Sequence, residues 1–109
     1  MIKEKKIVSA LINAAEELGL GNIDINNSIE LLDNMEYGLA FDTIITQLYE
    51  YEIEIDEEFY ELIDKSAKKM NISNNSYSFM NELIRGKNKV PTPVKNRLSQ
   101  ILTNLEKKG

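Results

Sequence analysis

Carboxylates and tyrosines are concentrated in one stretch of the sequence, from Glu36 to Asp64. This stretch holds ten carboxylates and four of the five tyrosines, and it contains no lysine or arginine. Carboxylate groups can serve as general acids or bases, as calcium ligands, or as negative charges that attract a cationic partner. The alternating acids Glu50, Glu52, Glu54 and Asp56 lack the glycine-containing loop of calcium sites, so we expect no metal site here.

The side chains that most often catalyse reactions are absent from the sequence. The chain has no cysteine and no histidine, which removes thiolate nucleophiles, disulfides, the commonest general base and the commonest metal ligand. Any reaction would have to depend on carboxylates, lysines or tyrosines alone. We therefore expect a protein that is not an enzyme and uses no cofactor, and whose acidic stretch binds a cationic protein.

Charge is divided unevenly along the chain. Residues 1–6 have a net charge of +2, residues 7–64 carry fifteen acids and no base, and residues 65–109 have a net charge of +8, which leaves −5 for the whole chain. Such a division allows the two halves to pair with each other, or to present two surfaces of opposite sign.

The length and hydropathy of the chain indicate one soluble domain. A chain of 109 residues can form a single hydrophobic core, and we expect one helical domain over residues 1–109. No apolar run approaches the length of a membrane span. The basic start is followed by Asn13, Glu16 and Glu17, which favours an amphipathic helix over a cleavable signal. We expect a cytoplasmic protein that makes no membrane contact and is monomeric when free.

Apolar residues recur at helical spacing, which predicts an all-α fold, a single compact bundle of five to six helices. The first predicted helix runs from Lys3 to Leu18 and ends at Gly19, where a left-handed C-terminal cap is expected. A polar connection, Gly21 to Asn27, then leads to a short second helix that ends near Asn34. The inward residues of this second helix are predicted to be Ile29, Leu32 and Met35.

The remaining predicted helices follow from capping residues and prolines. A third helix begins near Tyr37, and Asp56 is expected to cap a fourth. A fifth is predicted from about Asn75 to Arg85, and a last one has Thr92 as its N-cap and Pro93 at its first helical position. The predicted core residues are Tyr37, Phe41, Ile44, Ile45, Leu48 and Tyr51 in the third helix, and Phe59, Leu62, Ile63, Ala67 and Met70 in the fourth.

The outward side chains of the third and fourth helices are the candidates for partner binding. Projection at 100° per residue leaves Tyr49 in solvent on the third helix and Tyr60 in solvent on the fourth. Tyrosines surrounded by charged residues are typical of interface hot spots, although an acidic surface can also serve solubility alone. The predicted partner-binding residues are Asp42, Tyr49, Glu50, Glu52, Glu54, Glu57, Tyr60 and Glu61.

The basic C-terminal part offers an alternative function. Arg85, Lys87, Lys89, Lys95 and Arg97 surround a proline-containing loop and could contact phosphate groups. In that case the protein would be a small helical regulator that binds nucleic acid, with the acidic part as a dimer or activator surface. Only two arginines are present and no aromatic-basic motif accompanies them, so pairing with the acidic half or simple solvation is favoured over nucleic-acid binding.

The stretch from Leu31 to Met70 resembles the centre of the MafI-type immunity proteins of bacterial polymorphic and contact-dependent toxin systems. Its landmarks are Glu36 to Ala40 (EYGLA), Gln47 to Tyr51 (QLYEY) and Tyr60 to Ile63 (YELI). The resemblance implies an antitoxin that binds the C-terminal domain of one cognate toxin, often a nuclease, and has no catalytic residues. It points to the same eight residues as the candidate interface, without saying which of them touch the toxin.

Overall fold

Helices with one apolar face make up most of the structure. The computed structural model describes residues 3–86 and 89–108, and this part of the chain contains five α-helices, two short 3-10 helices and no strand. The predicted all-α class is therefore confirmed. The α-helices are α1 (Glu4–Leu18), α2 (Asn22–Asp33), α3 (Tyr37–Glu50), α4 (Glu57–Lys69) and α5 (Thr92–Lys108), and the 3-10 helices are Asn74–Ser76 and Ser78–Leu83.

The limits of α1 and α4 are set by local capping interactions, as predicted. Gly19 ends α1 in the left-handed conformation with φ of 106°. The N–H groups of Gly19 and Leu20 donate to the carbonyl oxygens of Glu16 and Ala15 at 3.0 and 3.1 Å, which is the Schellman arrangement. At the start of α4, the Asp56 side chain accepts a hydrogen bond from the Phe59 N–H at 2.9 Å. These two caps fix the residue at which α1 ends and the residue at which α4 begins.

Helix α1 lies in the middle of the bundle and packs against α2, α3, α4 and α5. Most of its apolar face is buried, with Val8 and Leu11 fully inaccessible, while Leu18 is partly buried. The buried side chains of all five α-helices and the second 3-10 helix form one continuous cluster, and the radius of gyration is 12.7 Å. Within the described ranges, no helix combines the length and apolar character needed to cross a membrane.

The prediction for the second helix is wrong in its start and for two of its three inward residues. Helix α2 begins at Asn22, inside the segment that was predicted to be a polar connection. Leu32 is buried as predicted, but Ile29 and Met35 are 40% and 75% exposed. The Ser28 hydroxyl donates to the Asp24 carbonyl oxygen one turn earlier at 2.9 Å. Because this bond satisfies a polar group inside the core, the helix can bury Ser28 and does not need an apolar residue there.

The predicted helix from Asn75 to Arg85 is also wrong, because this segment forms the two 3-10 helices instead. Tyr77 separates them with φ of −139°, and its ring is buried in the core at 2% exposure. Met80 and Leu83 are buried beside it in the same core cluster. At the last helix, α5 already begins at Thr92, so Pro93 occupies the second helical position and not the first.

Candidate protein-binding surface

The C-terminal end of α3 holds the first group of predicted interface residues. The Tyr49 ring packs edge-on against Phe79 with centroids 4.9 Å apart, and its hydroxyl donates to Glu82 Oε1 at 3.4 Å. The pKa of Tyr49 is raised, chiefly by the negative charge of Glu82 and further by partial desolvation and by Glu52 and Glu50. Tyr49 is exposed as predicted, at 36%, but it also anchors the second 3-10 helix to α3.

Two of the predicted interface acids have partners within the chain. Arg85 Nη2 lies 3.8 Å from Glu52 Oε1, and the Lys89 backbone N–H donates to Glu54 Oε2 at 2.5 Å. Arg85 and Lys89 therefore lie against the linker between α3 and α4. The ion pair is solvent-exposed on both sides and contributes little to stability, but it lowers the negative charge that Glu52 presents to a partner.

Tyr51 is exposed, and the prediction that it belongs to the core is wrong. It is the C-terminal cap residue of α3 and is 63% exposed. The helical stripe that includes Leu48 does not continue to Tyr51, because the chain leaves the helix after Glu50. Tyr51 and Ile53 instead line a shallow groove of about 410 Å³ together with Ile23, which is 78% exposed.

The first turns of α4 hold the second group of predicted interface residues. Glu57 and Glu61 are exposed and stand one turn apart, on the same side of the helix. The pKa of Glu58 is raised by partial burial and by the nearby charges of Glu61, Asp56, Glu106 and Glu57, so negative charge is dense here. Tyr60 was predicted to point into solvent, but it is half-buried, with its ring 6.1 Å from that of Tyr77.

The eight predicted residues are distributed over two groups. The main packing neighbours of α3 are α1, α2 and the second 3-10 helix, whereas those of α4 are α1 and α5. The linker 51–56 joins the groups, and Asp42 lies on α3 two turns before Tyr49. Four of the eight predicted residues are exposed carboxylates that make no ion pair with any side chain among residues 3–86 and 89–107. They are Asp42, Glu50, Glu57 and Glu61.

Side chains that the sequence analysis did not select also contribute to this surface. Ile23 and Tyr51 add apolar area, while Glu82 and Arg85 modify its charge. The alternation of charged and apolar residues after Glu50 is not a helical pattern. This alternation is the sequence signal that could have identified Tyr51 as an exposed residue just beyond the end of α3. No group of three carboxylates suited to a metal ion occurs in the described part of the chain.

Comparisons with family models, with curated proteins and with solved structures gave no match. The resemblance to the MafI-type immunity proteins therefore depends on the stretch from Leu31 to Met70 alone. The family resemblance stays a prediction. Support for any function therefore comes from the geometry and charge of the surface described above.

Proposed function

We propose that this chain is an inhibitory protein-binding module that neutralises the C-terminal domain of a cognate bacterial toxin, a basic nuclease in the simplest case. It has no catalytic residues, as the resemblance to MafI-type immunity proteins implies, and it acts as a cytoplasmic monomer until it meets the toxin. The observation that carries the proposal is that Asp42, Glu50, Glu57 and Glu61 are exposed and make no ion pair within the described residues.

The chemistry of this surface suits competition with a phosphate backbone. A nuclease holds its substrate with cationic side chains, and exposed carboxylates can occupy the same groove. A close charge pair at such an interface contributes a coupling energy of about 1.5–7 kcal/mol when it is partly desolvated. Tyr51, which follows Glu50 at the end of α3, adds exposed apolar area together with Ile23, and tyrosine is enriched among residues that dominate binding energy.

The alternative, nucleic-acid binding through the basic C-terminal region, has less support. Arg85 lies 3.8 Å from Glu52, and Arg97 Nε lies 3.5 Å from Glu17 Oε1. Both arginines are therefore close to negative charge that would repel phosphate groups. Lys87, which the alternative also uses, lies outside the described residues.

Co-expression with the toxin domain encoded beside this chain tests the proposal. Wild-type protein should restore growth and form a complex that survives size-exclusion chromatography. Glu57→Lys combined with Glu61→Lys should weaken the complex at least about tenfold, since two attractive charges become repulsive. Tyr51→Ala should weaken it as well, through loss of apolar contact.

The matched control is Glu30→Lys combined with Asp33→Lys, which makes the same change of net charge on the exposed surface of α2. This variant should protect cells as wild type does at equal abundance. If the α4 variant and Tyr51→Ala both protect fully, the surface is wrong. If wild-type protein fails to protect against that toxin domain, the proposed function is wrong.

A further inference from the structure

The shallow groove beside Tyr51 lies where three parts of the chain meet, namely the turn after α1, the first turn of α2 and the linker after α3. We call it the Tyr51 groove, and its lining includes Ile23, Asp24, Tyr51 and Ile53. Its volume of about 410 Å³ is near the lower end of the roughly 300–1,000 Å³ of typical ligand pockets. A site of this size fits one long side chain of a partner better than a whole helix.

Ile23 and Tyr51 are the exposed apolar walls of the Tyr51 groove. They are 78% and 63% exposed, so neither side chain belongs to the hydrophobic core. Ile53, which is partly buried against the core, adds further apolar surface from the linker. Exposed apolar side chains that line one concavity mark a surface that another molecule can cover.

Asp24 is the one buried residue of this lining, at 9% exposure. Its carboxyl group makes no ion pair with residues 3–86 and 89–107, and the Ser28 hydroxyl bonds to its backbone oxygen, not to its side chain. In the described part of the chain, every fully enclosed side-chain oxygen has a hydrogen-bond partner. The unpaired oxygens of Asp24 are therefore not fully enclosed, and they open onto the groove that Asp24 lines.

The helix dipole explains why an acid occupies the first turn of α2, but it does not explain why this acid is buried. A carboxylate near a helix N-terminus interacts favourably with the dipole, and an exposed carboxylate does so without losing water. Removal of a charge from water is unfavourable unless the charge gains a partner. A cation bound in the groove would supply the partner that Asp24 lacks.

The charge around the Tyr51 groove has the same sign as Asp24. No lysine or arginine lines the groove. Glu50 and Glu52, the sequence neighbours of Tyr51, are both exposed, and the nearest cation to Glu52 is Arg85 at 3.8 Å. The groove therefore attracts a cation and repels phosphate or carboxylate groups.

An arginine side chain satisfies the apolar walls and the acid together. Its aliphatic stem can pack between Ile23 and Tyr51, its planar guanidinium group can stack on the Tyr51 ring, and its N–H groups can pair with the Asp24 carboxylate. A lysine has a compact, strongly hydrated charge and does not stack in this way. An apolar side chain would cover Asp24 and leave its charge unpaired, which is unfavourable.

We propose that the Tyr51 groove binds an arginine side chain of a partner protein, with the stem between Ile23 and Tyr51 and the guanidinium group on the Asp24 carboxylate. This assignment rests on the proposed function only in taking the toxin domain as that partner. Tyr51 directly follows Glu50, one of the four exposed carboxylates without an ion pair in the described residues, so one docked protein can contact both. Arginine is also among the residues that dominate binding energy at interfaces.

An NMR titration with a small probe tests the groove without the toxin. The probe is the blocked tripeptide acetyl-Gly-Arg-Gly-amide, added to the isotope-labelled chain at about 0.15 M salt, where attraction between distant exposed charges is screened. We expect saturable chemical-shift changes at the backbone amides of Ile23, Asp24, Tyr51 and Ile53, with a dissociation constant on the order of 1–10 mM for a single side chain. Asp24→Asn, which keeps the shape and removes the charge, should weaken binding at least about tenfold.

Matched controls separate the groove from general attraction to an acidic protein. Asp33→Asn makes the same change of net charge at an exposed acid near the end of α2 and should leave binding within about twofold of wild type. Probes with citrulline or lysine in place of arginine should bind at least about tenfold and about threefold more weakly, respectively. Equal binding of the citrulline or lysine probe, or wild-type binding by Asp24→Asn, would overturn the proposal.

A variant with an exposed residue keeps the test valid if Asp24→Asn does not fold. Tyr51→Ala removes one wall of the groove at a side chain that is 63% exposed, and it should weaken binding of the arginine probe at least about threefold. Shift changes that spread over the acidic surface and persist in Tyr51→Ala would contradict the assignment of the site to the groove.

The complex with the toxin domain distinguishes this proposal from the proposed function. If wild-type protein binds the toxin domain and both Asp24→Asn and Tyr51→Ala bind it with unchanged affinity, the groove assignment is wrong and the proposed function stands. If the arginine probe binds in the groove but wild-type protein forms no complex with the toxin domain, the groove assignment stands and the proposed function is wrong.

Discussion

The Tyr77 hydroxyl donates a hydrogen bond to Asp64 Oδ1 at 2.5 Å and thereby connects the 3-10 region to α4. Asp64 also accepts from Lys68 Nζ at 2.8 Å. The Tyr77 ring meets Phe41 of α3 edge-on, with centroids 6.4 Å apart. Tyr77 therefore contacts both α3 and α4 and fixes the position of the segment between the two 3-10 helices relative to them.

Stability should depend on the charge of Asp64 at low pH. Hydrogen bonds from Lys68 and Tyr77 lower the pKa of Asp64, with Lys68 the larger cause and partial burial opposing. A lowered carboxyl pKa means that the unfolded chain binds more protons, so the stabilisation is complete above the unfolded pKa of about 3.9 and is lost as pH falls through the folded value. Asp64→Asn should lower the free energy of unfolding at pH 7 by about 1 kcal/mol or less.

Urea denaturation at pH 7 and at acidic pH measures this effect. The gap between wild type and Asp64→Asn should narrow as pH falls below the unfolded carboxyl pKa of about 3.9, and it should close once the folded carboxyl group, whose pKa is lowered, gains its proton. Asp42→Asn, at an exposed acid that makes no ion pair within the described residues, should show no such convergence. A constant gap at every pH would mean that Asp64 acts through packing alone.

Tyr77→Phe should be destabilising by about 1 kcal/mol at neutral pH, because it removes one hydrogen bond but keeps the buried ring. Burial, followed by the Asp64 hydrogen bond, raises the pKa of Tyr77. A raised phenol pKa means that this stabilisation is present below the unfolded pKa of about 10 and is lost as pH rises through the folded value. Thermal denaturation at pH 7 and at about pH 11, above the unfolded phenol pKa of about 10, should therefore show wild type losing more stability than Tyr77→Phe. A parallel loss would contradict this assignment.

Removing the cap of α4 should be costly. Asp56 is 7% exposed and accepts from the Phe59 N–H, so Asp56→Ala leaves a helix donor without its partner. We expect a loss of about 1 kcal/mol, within a range of 0.5–2, which corresponds to a melting temperature about 4–8 °C lower. Circular dichroism melts provide the measurement, and Glu57→Ala, one residue later and exposed, should shift the melting temperature much less.

Two glycines provide a matched pair of substitutions. Gly19→Ala places a Cβ at φ of 106° and should destabilise the fold by about 1 kcal/mol, since non-glycine residues are strained there. Gly38→Ala in the first turn of α3 meets no atom within 4 Å, and should be neutral or stabilising by up to about 1 kcal/mol. Chemical denaturation distinguishes the two, and equal effects would contradict the capping role of Gly19.

Tyr49→Ala and Tyr51→Ala should differ in their effect on the free energy of unfolding. Tyr49→Ala removes the ring that packs on Phe79 and should lower the free energy of unfolding by about 1–2 kcal/mol. Tyr51→Ala, at a residue that is 63% exposed, should change stability by less than about 0.5 kcal/mol. Differential scanning calorimetry of both variants tests this contrast. A larger loss at Tyr51 would show that its ring is part of the core.

Local signals explain which parts of the fold were predictable from the sequence. Gly19 and Asp56 interact with residues no more than four positions away, so α1 and α4 were predicted within one residue at their starts or ends. The 3-10 region was not predicted, because the position of the Tyr77 ring depends on its hydrogen bond to Asp64, thirteen residues earlier. The local apolar pattern of that segment is compatible with an ordinary α-helix, and only the tertiary contact distinguishes the two.

The candidate surface was predictable in charge but not in detail. The separation of acidic and basic halves allowed either pairing within the chain or two surfaces of opposite sign, and Arg85 with Glu52 is one internal pair. Which acids would be paired depends on the positions of Arg85 and Lys89, more than thirty residues along the chain from Glu52 and Glu54. Tyr51 was missed because a projection at 100° per residue holds only inside a helix, and α3 ends at Glu50.

The central position of α1 has a consequence for synthesis in the cell. Side chains of α1 remain uncovered until α5 has been translated, because α5 packs directly against α1. A chain translated only as far as Pro91 leaves the apolar α1 side chains that α5 covers in contact with water, and transiently exposed apolar surface of this kind favours aggregation. Contacts between such distant segments also slow folding relative to a bundle whose neighbours are adjacent in sequence.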